Sequence, residues 1–367
     1  MKKGIHSIYL NTKSMAILKQ VVGIDVAQHE LVTSIGRINH ELILEIFDYK
    51  VFPNTQKGFK ELVKWAEKHV ESTVKFRYVM EATGVYHEAL AYYLTNNNVE
   101  VSIVLPSKIS NFFRTLNVNT ITDKTASQAI TRFGLERNLD VWQKPNEVFR
   151  TLKQLTRERE QLVSDKTMLI SQLHAEKAQA FPNEASISRV KRRVKLIDQQ
   201  ESEVKEEIAC IVKQDLELAR QIDTITTIPG VGKLTAIIVL AETNGFEMIR
   251  SKKQLVSYSG LDVKQKDSGT SVRSKPKISK KGNRHLRKAM YMPALTAIRC
   301  NEAHKALFAR LVSRHGIKMK AAVAVQRKIL ELIYSLFRSG KPFDKDYISS
   351  NMQFKKNLAL NSLGQPS

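Results

Sequence analysis

The sequence is poor in four things, and each shortage excludes something. It has only two cysteines in 367 residues, Cys210 and Cys300. They stand far apart and in no CxxC pairing, which excludes a disulfide-stapled secreted scaffold and a cysteine-built zinc module. It has no long hydrophobic run. A stretch such as 234–241, Leu-Thr-Ala-Ile-Ile-Val-Leu-Ala, is far short of the roughly 20 residues that cross a bilayer. No apolar signal core follows the basic N-terminal residues. Finally, it is short of acid: 36 Asp and Glu stand against 59 Lys and Arg, a formal net charge of +23. What is present, 42% hydrophobic and 26% charged residues, suffices for a packed core. The length suits two or three domains. The expectation is a cytoplasmic, membrane-free protein with a polyanionic partner.

The positive charge is concentrated in one part of the chain. Residues 1–150 sum to +4, residues 151–220 to +1, and residues 221–367 to +18. Within the last part Arg273, Lys275, Lys277, Lys280, Lys281, Arg284, Arg287 and Lys288 follow one another without an intervening acid. A solvated face normally mixes signs, whereas a cluster of one sign neutralises phosphates and releases counterions. The run is expected to contact nucleic-acid backbone.

Hydrophobic periodicity gives a coarse architecture. Residues 20–27 read as a short buried strand carrying one acid, Asp25. Two β-prone runs follow at 31–38 and 42–52, then an amphipathic helix over about 55–71 and a strand over 75–82 that ends at Glu81. A helix (84–96), a strand (100–105) and a helical stretch from 107 complete an α/β layer with a mixed sheet. From 146 the spacing becomes heptad-like: Val148, Leu152, Leu155, Leu162, Leu169 and Leu173, then Val190, Val194, Ile197, Val204, Ile208 and Ile211. Pro182 folds these into a helical hairpin. A seam interrupted by Arg159 and Lys166 is weak alone, so pairing between subunits is expected as well. The domains implied are 18–145, 146–221 and 222–345, with a tail over 346–367.

Three constellations carry chemistry. Asp25 and Glu81 are acids in apolar strands, where a charge needs a partner, a metal or a function. Asp123, in Thr122-Asp123-Lys124-Thr125, marks a helix start and suits an N-cap or a ligand. Carboxylates drawn from two strands and a helix can hold Mg²⁺ or Mn²⁺, and such ions promote phosphodiester transfer. In Ile228-Pro229-Gly230-Val231-Gly232-Lys233 the glycines can admit a phosphate to the next helix's N-terminus, or simply join two helices; the +18 charge of the surrounding unit favours nucleic-acid binding at Gly230, Gly232 and Lys233. Asp267-Ser268-Gly269-Thr270-Ser271 reads as a small-residue turn before the basic run.

The ordered set resembles the transposases of insertion sequence family 110, relatives of the Piv-type DNA invertases. It comprises Gly23-Ile24-Asp25-Val26-Ala27, Met80-Glu81-Ala82-Thr83-Gly84, Thr122-Asp123-Lys124-Thr125, the hairpin, the Pro-Gly-Val-Gly turn, Ser268-Gly269 and Lys280-Lys281-Gly282-Asn283-Arg284. The resemblance spans about residues 20–340. It implies a RuvC-like, ribonuclease-H-fold N-terminal domain with four acids, a coiled coil, and a mainly α C-terminal domain with a helix-hairpin-helix-like motif. It also implies a recombinase guided by a structured RNA and assembled as a dimer or tetramer on the double-stranded DNA of the element's ends and target, in the bacterial nucleoid. Asp25, Glu81 and Asp123 match the first three acids and Ser268 the covalent nucleophile. Ser271 and Ser274 are its rivals. The fourth acid's place, three residues after Asp123, holds Ala126, so that either three carboxylates suffice, another acid such as Asp140 substitutes in space, or the chain is catalytically impaired. Two other readings stand beside it: a metal-dependent four-way-junction nuclease that uses the acids alone and water, supported by the RuvC-like pattern, and a non-catalytic DNA- or RNA-binding relative, suggested by Ala126.

Overall fold

A computed structural model describes residues 16–344, apart from Thr83, 117–119, Ile121, Met248, Lys266, 269–271 and 274–276. For residues 267, 268, 272 and 273 it describes the backbone. The expected tail lies outside the described residues. The chain divides into two compact units between Lys144 and Pro145.

In the first unit β1 (Ile17–Val26), β2 (Glu30–Asn39) and β3 (Leu44–Pro53) form an antiparallel meander. After α1 (Gln56–His69), β4 (Phe76–Glu81) lies parallel to β1. After α2 (Glu88–Asn96), β5 (Val101–Val104) lies parallel to β4. Helices α3 (Pro106–Phe113) and α4 (Asp123–Glu136) close the unit. The strand order is β3-β2-β1-β4-β5, the mixed sheet that the apolar runs imply. Helix α2 starts four residues later than its periodicity suggests, because Gly84 at φ +55° opens a turn first.

Alternation along the strands sorts side chains between two cores. Val22, Ile24, Tyr78 and Met80 pack with Phe59, Leu62 and Leu90 on the α1–α2 face. Val21 and Val79 pack with Phe112, Ile130 and Phe133 on the α3–α4 face. The second face is unusually close at Gly23, where a Cβ would stand 2.2 Å from Thr131 Oγ1 and 2.4 Å from its backbone nitrogen. Helix α4 therefore rests on β1 itself, and any larger residue at 23 would lift it. Its ends are fixed as well. Thr122 and Thr125 form a capping box at the start, and Lys19 Nζ donates to the Gly134 and Arg137 carbonyls at the finish.

The second unit is helical, with four very short strands among the described residues. Helices α5 (Glu147–Lys177) and α6 (Glu184–Gln214) form the hairpin. The polar residues interrupting its seam find partners across it: Arg159 bonds Glu201 at 2.8 Å and Lys166 pairs with Asp198. Next come α7 (Leu216–Thr226), α8 (Lys233–Thr243) and α9 (Lys252–Ser259). A ribbon follows, in which β6 (Val263–Lys264) pairs with β9 (Lys277–Ile278), and β7 (Asp267–Ser268) pairs with β8 (Val272–Arg273). The unit ends with α10 (Arg284–Ala289), α11 (Tyr291–Cys300), α12 (Glu302–His315) and α13 (Lys318–Ser339). One continuous core joins the base of the hairpin to these helices through Leu152, Ile208, Leu240, Phe246, Leu286 and Ile329. Among the described residues no helix is long and apolar enough to cross a membrane.

Candidate active site

Three acids meet the α4 side of the first sheet at the C-terminal ends of its parallel strands. The parallel register runs to Ile24 opposite Met80, so Asp25 and Glu81 form the next pair across β1 and β4, strands that lie about 4.8 Å apart. Both alternate onto the face of Val21 and Val79, the face that carries α4. This edge is where open α/β sheets bind ligands. Asp123 is the first residue of α4. The cap itself is Thr122, whose hydroxyl accepts from Thr125 N–H, so the Asp123 carboxylate is left out of the capping pattern. Ala126 lies one turn further on, half-buried. Asp140, the other acid that could stand in for it, is placed by its backbone. Its carbonyl accepts from Ser102 Oγ, two residues back along β5 from Val104, the partner of Glu81.

The electrostatics of this edge are uncompensated. Burial, and then the charge of Asp123, raise the Asp25 carboxyl above its ordinary value, against a backbone hydrogen bond at Val26 that lowers it. Burial, and then the charge of Asp25, raise Glu81. No described lysine or arginine forms an ion pair with any of the three. Clustered hard oxygens with no cation of their own suit a divalent ion in charge and chemistry. Even so, no group of three or more His, Cys, Asp or Glu side chains among the described residues is disposed to hold a metal. A divalent cation placed here would have to complete its shell with water and substrate phosphate.

The second unit treats its predicted residues unequally. Gly230, at φ +95°, is a packing residue: a Cβ there would meet the Pro293 carbonyl at 2.9 Å and Ala297 N at 3.0 Å. Gly232 is open, with nothing within 4 Å of a Cβ, and it precedes α8 without a side-chain cap. Lys233 is exposed and stands 3.5 Å from Asp223. Ser268 lies in β7 opposite Val272, a strand position where the composition suggests a turn. Ser271, Ser274 and Lys275 lie outside the described residues, as do the side chains of Ser268 and Arg273. Lys277, Lys280, Lys281, Arg284 and Lys288 are exposed. Arg287 is not available in the same way, because its Nη1 donates to the Ser259 and Gly282 carbonyls. Beneath the ribbon, Ser279 N–H donates to the Asp262 carbonyl and Asn283 N–H to that of Tyr258.

A network absent from the sequence expectations sits beside these residues. The Glu242 carboxylate is wholly buried and accepts from Arg157 Nε and Nη2 at 2.7 and 2.9 Å and from Asn283 Nδ2 at 2.7 Å. Burial alone would raise it, but these bonds hold it below its ordinary value. Glu242 is an acid inside an apolar helix, the same signal that marks Asp25.

Comparison with known proteins decides the family. A family model described as Transposase IS116/IS110/IS902 family matches residues 222–309, and a DEDD-type IS110 model described as Transposase matches residues 22–182. The pilin gene-inverting protein of Moraxella bovis is 30% identical over 299 residues, covering 80% of this chain and 90% of that protein. The chain belongs to the IS110 transposase family. It is a transposase, an enzyme of DNA recombination. Another relative, the pilin gene-inverting protein of Moraxella lacunata, is 29% identical over 335 residues, 89% of this transposase and 98% of that protein. The structure of T. thermophilus RuvC in complex with a Holliday junction substrate shares 10% identity at a TM-score of 0.26, covering 34% of the transposase and 99% of RuvC. The fold of the first unit is defined by its own strand order and not by that likeness.

Proposed function

We propose that this transposase cuts and rejoins the DNA of an insertion sequence through two sets of groups, the acids Asp25, Glu81 and Asp123 and the hydroxyl of Ser268. The observation that carries this reading is the uncompensated charge at the edge of the first sheet, with Asp25 and Glu81 both raised. Leaving acids unpaired costs the fold stability, and such costs mark functional sites. A divalent cation, Mg²⁺ or Mn²⁺, held by Asp25 and Glu81 with Asp123 would stabilise the charge that develops on the transferring phosphoryl group. The Ser268 hydroxyl gives up its proton as it attacks the phosphorus, a serine–phosphate bond forms, the bond to the leaving sugar oxygen breaks, and that oxygen takes up a proton in return. Rejoining reverses these events with a new sugar hydroxyl, so no external energy source is required.

The strand order β3-β2-β1-β4-β5 supports a RuvC-like, ribonuclease-H type of first domain. The exposed lysines and arginines between 277 and 288 support backbone contact with DNA and with a structured guide RNA. Exposed Met168, Ile170 and Leu196 on the hairpin support assembly of two or four copies. The test is adduct formation on element-end DNA with the cognate RNA. Wild type should form a covalent protein–DNA species, Ser268→Ala none, and Ser271→Ala and Ser274→Ala nearly the wild-type amount. Clean hydrolysis without adduct would replace this reading with the nuclease. Ala126→Asp restores a fourth carboxylate one turn from Asp123 and should tighten metal binding by roughly tenfold.

A further inference from the structure

A recess in the second unit lies between α5 and α10. It has a volume of about 480 Å³ and is lined by Arg157, Glu160, Gln161, Ser164, Arg284, His285 and Lys288. The α5 residues recur at three and four positions and so share one helix face. Glu160 accepts from His285 Nδ1 at 2.6 Å with one oxygen and from Lys288 Nζ at 3.0 Å with the other. These two bonds hold its carboxyl below the ordinary value although burial opposes them. Arg284 Nε approaches His285 Nε2 at 3.5 Å, and the Arg284 side chain makes no ion pair with any described acid. Arg157 gives two of its nitrogens to Glu242, which fixes the guanidinium plane at the wall of the recess.

We propose that this recess is a phosphodiester site, in which Arg284, His285 and Lys288, with Arg157 behind them, hold one backbone phosphate of a bound nucleic acid. In the free protein the Glu160 carboxylate stands where that phosphate goes. It is a planar anion with two acceptor oxygens, and its two donors, His285 and Lys288, are ones a phosphate would also recruit. On binding, Lys288 leaves Glu160 for the phosphate and Arg284 closes over it. Arg157 cannot follow, because Glu242 holds it, so the back wall keeps its shape. The site rests on the reading of the chain as a nucleic-acid-handling transposase. It involves neither Ser268 nor the acids, so it is tested by binding alone.

The experiment uses the full chain without divalent cations, so that no strand is cut. Affinity for a duplex DNA and for an RNA stem-loop is measured across sodium chloride concentrations. Arg284→Ala and Lys288→Ala should each lower the salt slope by about 0.9, the value of one phosphate contact, and the double variant should lower it no further. Glu160→Gln should tighten binding, by roughly threefold to tenfold at low salt, because the resident anion is gone. Loss on DNA only, on RNA only or on both names the source of the phosphate. Additive slope changes, an unchanged slope, or weaker binding by Glu160→Gln would overturn the site. Lys288 is exposed, so its variant should keep the wild-type melting temperature. Failure of the wild type to bind either nucleic acid would instead bring down the functional reading.

Discussion

The two units bury their carboxylates in opposite ways. In the second unit Glu242 lies out of water with Arg157 and Asn283 around it, and its carboxyl is held low. In the first unit Asp25 and Glu81 are half-buried beside each other and beside Asp123, with no described lysine or arginine paired to them, and both are raised. Burial is common to both, and partner supply differs. A satisfied acid locks helices together, whereas an unsatisfied pair is an energetic debt that a ligand can cancel.

The comparison is broken most directly by removing one acid from each unit. Asp25→Asn should abolish strand transfer, a loss of several orders of magnitude in rate, while raising or preserving the melting temperature. A gel-based transfer assay and a thermal melt on the same preparation check both halves. Glu242→Ala should do the reverse to stability. It strands the Arg157 guanidinium and the Asn283 amide, and denaturant unfolding should show a loss of about 3–5 kcal/mol. Equal destabilisation by the two substitutions would erase the distinction between the units.

Two smaller effects sharpen it. Adding Mg²⁺ at about 100 times its dissociation constant should stabilise the wild type by about 2.7 kcal/mol, and Asp25→Asn much less. The pH dependence should have opposite signs. Asp25 and Glu81 have raised folded values, so their contribution is fully present below the unfolded values and is lost as pH rises through the folded ones. Glu160 and Glu242 have lowered values, so theirs is present above the unfolded value and lost as pH falls through the folded one. Comparing the melting temperature against pH for wild type, Asp25→Asn and Glu242→Gln isolates each contribution.

Much of the first unit was legible in the sequence. Apolar runs bounded by turns mark β1 to β5, and acids at 25 and 81 stand out because their neighbours are apolar. Asp123 was harder, since a helix start attracts acids for capping, and only the Thr122–Thr125 box shows that the cap lies elsewhere. Gly230 was misleading: a glycine that admits a phosphate and one that admits α11 look alike in sequence. The hairpin seam read as weak because Glu201 and Asp198, which neutralise Arg159 and Lys166, come 42 and 32 positions later. Glu160 and His285 are 125 residues apart, and no local pattern joins them. Pairings of that kind belong to tertiary structure alone.

The ribbon from Val263 to Ile278 leaves α9 and returns toward α10 at nearly one point. Ser279 bonds back to Asp262, Lys280 to Gly260 and Asn283 to Tyr258, so the junction is tied beneath the ribbon by bonds outside its ladders. Such a segment is a cassette. Its length and composition can change while the helices below it stay in register, since insertions are tolerated where the flanking ends already meet. Within a lineage of mobile elements, that would let the part carrying Ser268 be retuned without redesigning the helical body that presents it. For an engineer, it marks the place where foreign sequence can be exchanged first.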